Sequence, residues 1–447
     1  LKEGLVWSDG TPVTSADVKW SWDRFAAMGN SGGELVRSRN PDAPVDSIEV
    51  PDAQTVVLKM ALPYAIFIDL LANYQNFYVM PQDDTFNFKS DMRGSGPYYL
   101  ESFRPSGGAI YKRNPDWYDS PRPYFETLNR TLISDYATGL SQLKAQNIWD
   151  FEGHPEDILA TKRETPGLLM LANPDVASNA WFINFSKSDN SYFKDVRLRR
   201  AVSMMVDRDL LIETFFNVTP FRSAGLPVHL YWHSHIAAGL PEWLDPQGDG
   251  LGEGARYFQH DPAEARKLVE AAGVSMPYTA PFSYFIDQAP DEVKYNEVLA
   301  AMISEGGVFQ MELDGLAYNT TWRNARASAG TGFDGVLHHR AAALNSDVIL
   351  TQKYTPNGRN AVSNKPIPGV TDLVMKQKTE LDPERRTAIV HDIQRQLALE
   401  WPDLSRAGDS PGFRLKWPWL ENHWVLIEGN SSAKAFTYAW YNNSKQS

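Results

Sequence analysis

The 447-residue sequence contains no cysteine. That excludes disulfides, thiolate nucleophiles, cysteine-held iron–sulfur clusters and thiolate zinc sites. It leaves the compartment open. No stretch approaches the ~18 consecutive apolar residues that a membrane-crossing helix requires, so none is expected. Positive charge is scarce: 43 Lys and Arg stand against 55 Asp and Glu, a formal net charge of −12. Without a basic run to gather phosphates, nucleic acid is not an expected partner. A Walker-type loop, a G-x-G-x-x-G after a strand and an H-E-x-x-H pair are also missing, so neither a nucleotide nor a metal cofactor is expected.

Aromatic side chains, in contrast, are plentiful: 14 Trp, 19 Tyr and 21 Phe. Large cores use them, and so do ligand sites that stack flat groups. At about 100–200 residues per domain the length allows two to four domains. The local signals are clear. Thr14 with Asp17 three residues later marks a helix start. Residues 45–60 read as two strands about a Pro51-Asp52 turn, and 97–113 as a further β pair. Helices are expected over 135–144, 196–205, 262–272 and 383–400, the last two opened by Asp-Pro pairs. Strands are expected at 181–185, 281–286, 309–313 and 333–337. Strands alternating with helices indicate α/β lobes.

Gly408-Asp409-Ser410-Pro411-Gly412 fits the G-x-S-x-G pattern of a hydrolase nucleophile, which makes a hydrolase using Ser410 the alternative reading. Pro411, however, follows the serine and has no N–H for an oxyanion hole. Asp245, Asp249 and Gly250 match part of a calcium loop, but Arg256 stands where the bidentate glutamate is needed. His229, His233 and His235, and the pair His338-His339, are read as polar loop or pocket residues. A large folded chain without a convincing catalytic set favours a binding protein over an enzyme.

Several segments in collinear order carry a resemblance. Residues 1–18, from Leu1-Lys2-Glu3-Gly4 through Trp7-Ser8-Asp9-Gly10-Thr11-Pro12 to Asp17-Val18, resemble the signature of family 5 extracellular solute-binding proteins. Gly94-Ser95-Gly96-Pro97-Tyr98, Arg113-Asn114-Pro115-Asp116-Trp117-Tyr118 and Phe193-Lys194-Asp195-Val196-Arg197-Leu198-Arg199-Arg200-Ala201 are similar to later motifs of that family. Asp261-Pro262-Ala263-Glu264-Ala265-Arg266 and Phe333-Asp334 continue the series. The resemblance implies an α/β, two-lobed periplasmic-binding-protein-like fold with an accessory domain. It implies domains at 1–120 (accessory, returning to lobe I), 121–225 (lobe I, with 436–447) and 226–435 (lobe II). It further implies a non-enzymatic, monomeric receptor outside the cytoplasm, periplasmic or at the cell surface. Such a receptor closes its lobes on a peptide, oligosaccharide or similar polar solute and delivers it to an ABC permease in the inner membrane. The family begins with a segment ahead of the first motif and an export signal before that, so the whole gene product is expected to carry both.

Peptide receptors of the family hold the ligand amine with an Asp shortly after Phe-Asp. Here that stretch is Gly335-Val336-Leu337-His338-His339-Arg340-Ala341-Ala342-Ala343, with Ala343 near the acid position. His338, His339 and Arg340 would instead offer donors to hydroxyls, carboxylates or phosphates. Trp181, Tyr284, Trp322, Trp417 and Trp419 are the candidate stacking aromatics, and Asn184 and Asn345 the candidate amide contacts.

Overall fold

The computed structural model describes residues 1–27, 35–38, 41–72, 77–82, 92–173, 179–342, 345–423 and 436–446. The chain divides into two compact units. Unit 1 comprises 1–61, 67–173 and 412–447; unit 2 comprises 62–66 and 174–411. Among the described residues no helix is long and apolar enough to cross a membrane.

Unit 1 is assembled from locally specified pieces. The Thr14 N–H and hydroxyl both donate to the Asp17 carboxylate, at 2.8 and 2.9 Å, and α1 (Ser15–Ala27) begins there. β1 (Val45–Glu49) and β2 (Val57–Met60) pair antiparallel across a turn in which Asp52 accepts the Gln54 and Thr55 N–H groups. β3 (Tyr98–Arg104), β4 (Gly108–Arg113) and β5 (Thr127–Thr131) form a three-stranded antiparallel sheet. Gly108 opens β4 at φ +106°, where a Cβ would lie 2.0 Å from the Arg130 carbonyl oxygen. Only glycine fits so close an approach. Next in the chain are α2 (Tyr136–Lys144), capped by Asp135, β6 (Asp150–Phe151), α3 (Pro155–Glu164) and β7 (Leu169–Asn173).

Unit 2 is built on β8 (Asn179–Phe185), β10 (Tyr278–Phe285), β11 (Phe309–Leu316), β12 (Val336–Ala342) and β13 (Asp403–Ser405). Between them lie α4 (Val196–Met204), α5 (Arg208–Phe216), β9 (Tyr231–Trp232), α6 (Pro262–Ala271), α7 (Pro290–Ser304), α8 (Ser346–Tyr354), α9 (Thr371–Thr379) and α10 (Pro383–Glu400). The sheet order is β11-β10-β12-β8-β13; β10 runs parallel to both neighbours and β8 antiparallel to both. A short pair, β9 with β14 (Gly408–Asp409), lies outside it. The register sets Arg340 opposite Trp181, His338 opposite Ile183, and Asn184 between Leu337 and Asp403. Strand alternation then separates two faces. Trp181, Ile183, His338 and Arg340 share one; Phe182, Asn184, His339, Asp403 and Ser405 share the other. Phe182 and Ala341 pack with Ile349 and Leu350 of α8, Val374 of α9, and Val390, Ile393 and Leu397 of α10 in one core.

The strand expected at 333–337 begins instead at Val336 and continues through the His338-His339-Arg340 stretch to Ala342. Gly335, at φ +67°, turns the chain into it beneath Pro281, whose carbonyl oxygen would lie 2.1 Å from a Cβ there. After β14 the chain re-enters unit 1 as β15 (Gly412–Lys416), which lies between β6 and β7, and a last pair joins β16 (Leu420–Glu421) to β17 (Trp440–Tyr441).

The compact units change at 173 and 411. Pairing gives the reason: β7 is held by β15, whereas β8 is held by β12 and β13. Residues 193–200 are also tied into unit 2. Asp195 caps α4 by accepting the Arg197 N–H at 2.9 Å. The buried Arg199 guanidinium donates to the Trp401 and Glu400 carbonyls, both at 2.6 Å. Those carbonyls end α10 and have no acceptor role left within the helix, so a cation there is favourable.

Unit 2 also buries an ion pair. Lys353 Nζ lies 2.5 Å from Asp403 Oδ2, with side-chain exposures of 1% and 0%. Tyr354 donates its hydroxyl to Asp403 Oδ1 at 2.9 Å. Removing one partner strands a buried charge, at a cost of ~3–5 kcal/mol, whereas an apolar pair of similar volume is far better tolerated. Lys353→Met is therefore expected to lower the urea midpoint strongly, and Lys353→Met combined with Asp403→Leu to recover a large part. A loss below ~1 kcal/mol for the single variant would contradict this reading.

Candidate functional site

The polar side chains of unit 2 gather around β8. On the face toward α7, Arg340 donates from Nε and Nη2 to the two oxygens of Glu292, at 2.6 and 2.5 Å. Its guanidinium also covers the Phe285 ring at 4.6 Å. Burial raises the Glu292 pKa above the usual carboxylate range, and Arg340 pulls it back. His338 is buried with its Nε2 3.7 Å from Glu292, and neither ring nitrogen has a hydrogen-bond partner. Burial drives its pKa down to about 3, so it is neutral. His339, on the opposite face, stacks on Phe182 at 4.6 Å and is likewise held neutral by burial.

The other candidates have more specific settings. Trp322 is wholly buried; its Nε1 donates to the His338 carbonyl at 2.8 Å and its ring stacks on Tyr318, so it braces β12 from the core. Tyr284 is buried, with its hydroxyl 3.1 Å from Glu297. Asn184 has no exposed surface, and both its amide atoms lack a partner. Asn345 caps α8, accepting the Val348 N–H at 2.9 Å, so its side chain is already committed. Ala343 lies outside the described residues. Trp417 and Trp419 belong to unit 1, where their rings stack at 4.7 Å with 9° between planes. Trp417 donates to the Leu143 carbonyl at 2.8 Å, and both rings are buried.

Trp181 is half-buried, as are Arg340 and Asn345, and it leads to a group that sequence reasoning missed. A small, partly open cavity with room for about one water is lined by Trp181, His233, His235, Lys353, Ser405 and Arg406, among others. The Arg406 backbone N–H donates to the Trp181 carbonyl at 2.9 Å, which extends the β8–β13 pairing by one residue. The guanidinium then lies over the Trp181 ring at 4.3 Å and pairs with Asp409 at 3.0 Å. Asp409 also meets His233 Nε2 at 2.9 Å, while His233 Nδ1 accepts the Ala238 N–H at 3.0 Å. That acceptance fixes the tautomer: the proton is on Nε2 and is donated to Asp409. Both ring nitrogens of His235, Ser405 Oγ and Arg406 Nε are buried without partners. Burial lowers the His235 pKa to about 4. The only sequence signal was the alternating His233 and His235; Ser405, Arg406 and Lys353 gave none.

The charged groups of this arrangement are engaged with one another. Three cations in it are matched by carboxylates: Arg340 by Glu292, Arg406 by Asp409 and Lys353 by Asp403. Ser410 Oγ is buried without a partner. His233, held by the neighbouring Asp409, has both nitrogens engaged and is not available as its base. The hydrolase alternative therefore has no support. Among the described residues no three His, Asp or Glu side chains gather as a metal-binding group.

The buried neutral imidazoles make stability pH-dependent. An unfolded histidine protonates near pH 6.5, whereas His235 and His338 in the fold stay neutral to about pH 4 and about pH 3. Below pH 6.5 the unfolded state binds more protons, so stability falls as the pH falls. At pH 5 one such imidazole accounts for roughly 2 kcal/mol. Thermal melts are expected to show a lower Tm at pH 5 than at pH 7, with a shallower dependence in His338→Asn. Equal melting temperatures would contradict the assignment.

Known proteins resemble this chain in both sequence and fold. A family model described as bacterial extracellular solute-binding proteins, family 5 middle, matches residues 1–360. The chain is 20% identical over 423 residues to the periplasmic oligopeptide-binding protein OppA of Salmonella typhimurium, covering 89% of this chain and 73% of that protein. It is 28% identical over 216 residues to a probable D,D-dipeptide-binding periplasmic protein, DdpA, of Escherichia coli, covering 46% of this chain and 40% of that one. Among solved structures, the binding protein AgaA of A. tumefaciens R10 in complex with agropinic acid is similar, with a TM-score of 0.75 at 20% identity, covering 98% and 86% of the two chains. A putative peptide-binding protein, AppA, of Clostridium difficile matches with a TM-score of 0.75 at 15% identity, covering 99% and 88%.

Proposed function

The chain belongs to the family 5 extracellular solute-binding proteins, and from that premise we propose that it takes up its solute at the Trp181 end of the unit 2 sheet and hands it to an inner-membrane ABC permease. It is a substrate-binding protein acting outside the cytoplasm, not an enzyme. The observation that carries the site is the cavity under Trp181, where buried polar atoms without protein partners meet an aromatic ring that keeps some exposure. Ligand sites combine an apolar wall with a few convergent polar groups in this way. The relatives OppA and DdpA are named for peptides, which supports a peptide-sized polar solute. The pairing of Arg340, Lys353 and Arg406 with carboxylates favours a second reading, in which the solute is neutral and sugar-like.

A Trp181→Ala variant is expected to keep its fold, read as an unchanged circular dichroism spectrum. It is expected to weaken solute binding at least tenfold by titration calorimetry. Ser410→Ala is expected to leave affinity unchanged. Wild-type affinity in Trp181→Ala would move the site elsewhere.

A further inference from the structure

The pairing of charge seen elsewhere in unit 2 breaks down beside Tyr318 and Trp322. These two rings stack at 4.8 Å with 15° between planes. Both residues are anchored: Trp322 Nε1 donates to the His338 carbonyl at 2.8 Å, and the Tyr318 N–H donates to Asp287 at 3.0 Å. Arginines gather around the pair. Arg326 lies over Trp322 at 5.4 Å, Arg323 over Tyr318 at 5.4 Å, and Arg340 over Tyr318 at 5.9 Å. Arg359, from the turn after α8, is near enough for its charge to act on Arg326. Arg323 and Arg359 are exposed and Arg326 and Arg340 half-buried, so the group is open to a ligand.

Carboxylates do not balance these arginines. Glu292 is taken by Arg340, at 2.5 Å, and Asp287 is occupied by the Tyr318 N–H. Among the described residues Arg323, Arg326 and Arg359 form no ion pair. Burial and the charges of Arg359, Arg323 and Arg340 lower the Arg326 pKa to about 10, so it remains a cation at neutral pH. Uncompensated positive charge thus converges at one place in a chain whose net charge is −12. The guanidinium groups repel one another, and a half-buried one among them is poorly solvated.

The aromatic platform leaves the donors available. A guanidinium over a ring spends its face on the π-system and keeps the N–H groups at its edge for acceptors in its own plane. Arg323 and Arg326 stand three positions apart in the short helix Arg323–Ala327, which makes them neighbours on its surface. An acceptor that suits the group needs several oxygens and more than one negative charge. A carboxylate has two oxygens and one charge, which serves one guanidinium fork. A phosphate group gathers three acceptor oxygens and nearly two charges on one centre, so it can serve several forks at once.

We infer that Arg323, Arg326 and Arg359, with Arg340 alongside, form a phosphate-binding site on unit 2, for inorganic phosphate or for the phosphate group of a solute. The inference goes beyond the Trp181 site and does not depend on it.

The test is titration calorimetry on the full chain with inorganic phosphate, glucose 6-phosphate and acetate, at constant ionic strength because salt screens such attraction. At least one phosphate compound is expected to bind saturably, and acetate at least tenfold more weakly. Arg326→Gln and, separately, Arg359→Gln are expected to weaken that compound at least tenfold. Arg326→Lys, which keeps the charge and loses the fork, should recover part of the loss. Thermal melts separate binding from a packing role. In phosphate-free buffer Arg326→Gln relieves repulsion, so its Tm is expected to equal or exceed that of the wild type; added phosphate should raise the wild-type Tm alone. Tighter binding of glucose 6-phosphate than of inorganic phosphate would assign the group to a solute, and equal binding to the free ion; both uphold the site. It would be overturned by no saturable binding of either phosphate compound, by acetate binding as tightly, or by unchanged affinity in both glutamine variants. A lower Tm for Arg326→Gln without phosphate, with the same phosphate response as the wild type, would make Arg326 a brace for Trp322 and also overturn it.

Discussion

The buried carboxylate of Asp403 constrains everything around the candidate site. With no exposed surface, it needs a cation and a hydrogen-bond donor, and it finds Lys353 at 2.5 Å and Tyr354 at 2.9 Å. Both partners sit at the end of α8, so the interaction fastens β13 to that helix. β13 is only three residues long and forms the edge of the sheet beside β8. Its position places the next residues of the chain: Ser405 opposite Phe182, then Arg406 bonded to the Trp181 carbonyl. The cavity wall is thus a consequence of where one buried ion pair holds a short strand. An apolar substitute of equal volume could stabilise the core as well. The pair's distinctive contribution is a cation and a carboxylate fixed beside the cavity.

The same logic of paired charge runs through the rest of the unit. Arg340 is held by Glu292, Arg406 by Asp409, and Arg199 by the carbonyls that end α10. Neutral imidazoles fill the spaces between, because burial makes their protonation unfavourable. A wall of this kind presents oriented donors and acceptors without net charge.

The legible parts of the fold were those specified within a few residues. Thr14 with Asp17, and the capping aspartates at 135, 261 and 382, start helices through contacts three or four residues long, and each appears as expected. The family motifs were legible for a related reason. Asp195 and Arg199 carry fixed structural tasks, a helix start and a helix end, that require those residue types. Long-range adjacency was not legible. Nothing in the run Asp403-Leu404-Ser405-Arg406 indicates that it lies beside Trp181, more than 200 positions away, because register is set by pairing across the sheet. Trp322 illustrates the converse problem. Its residue type suggested stacking on a ligand, yet it is wholly buried and braces β12 through the His338 carbonyl. A tryptophan reads the same in sequence whether its ring faces a core or a cavity.

The most direct measurement is a crystal structure of the full chain with its bound solute. The expected result is ligand density against Trp181 at the end of the unit 2 sheet, with ligand polar atoms at hydrogen-bond distance, about 2.7–3.2 Å, from side chains that line the cavity there. A ligand bound with no atom beside Trp181 would contradict it.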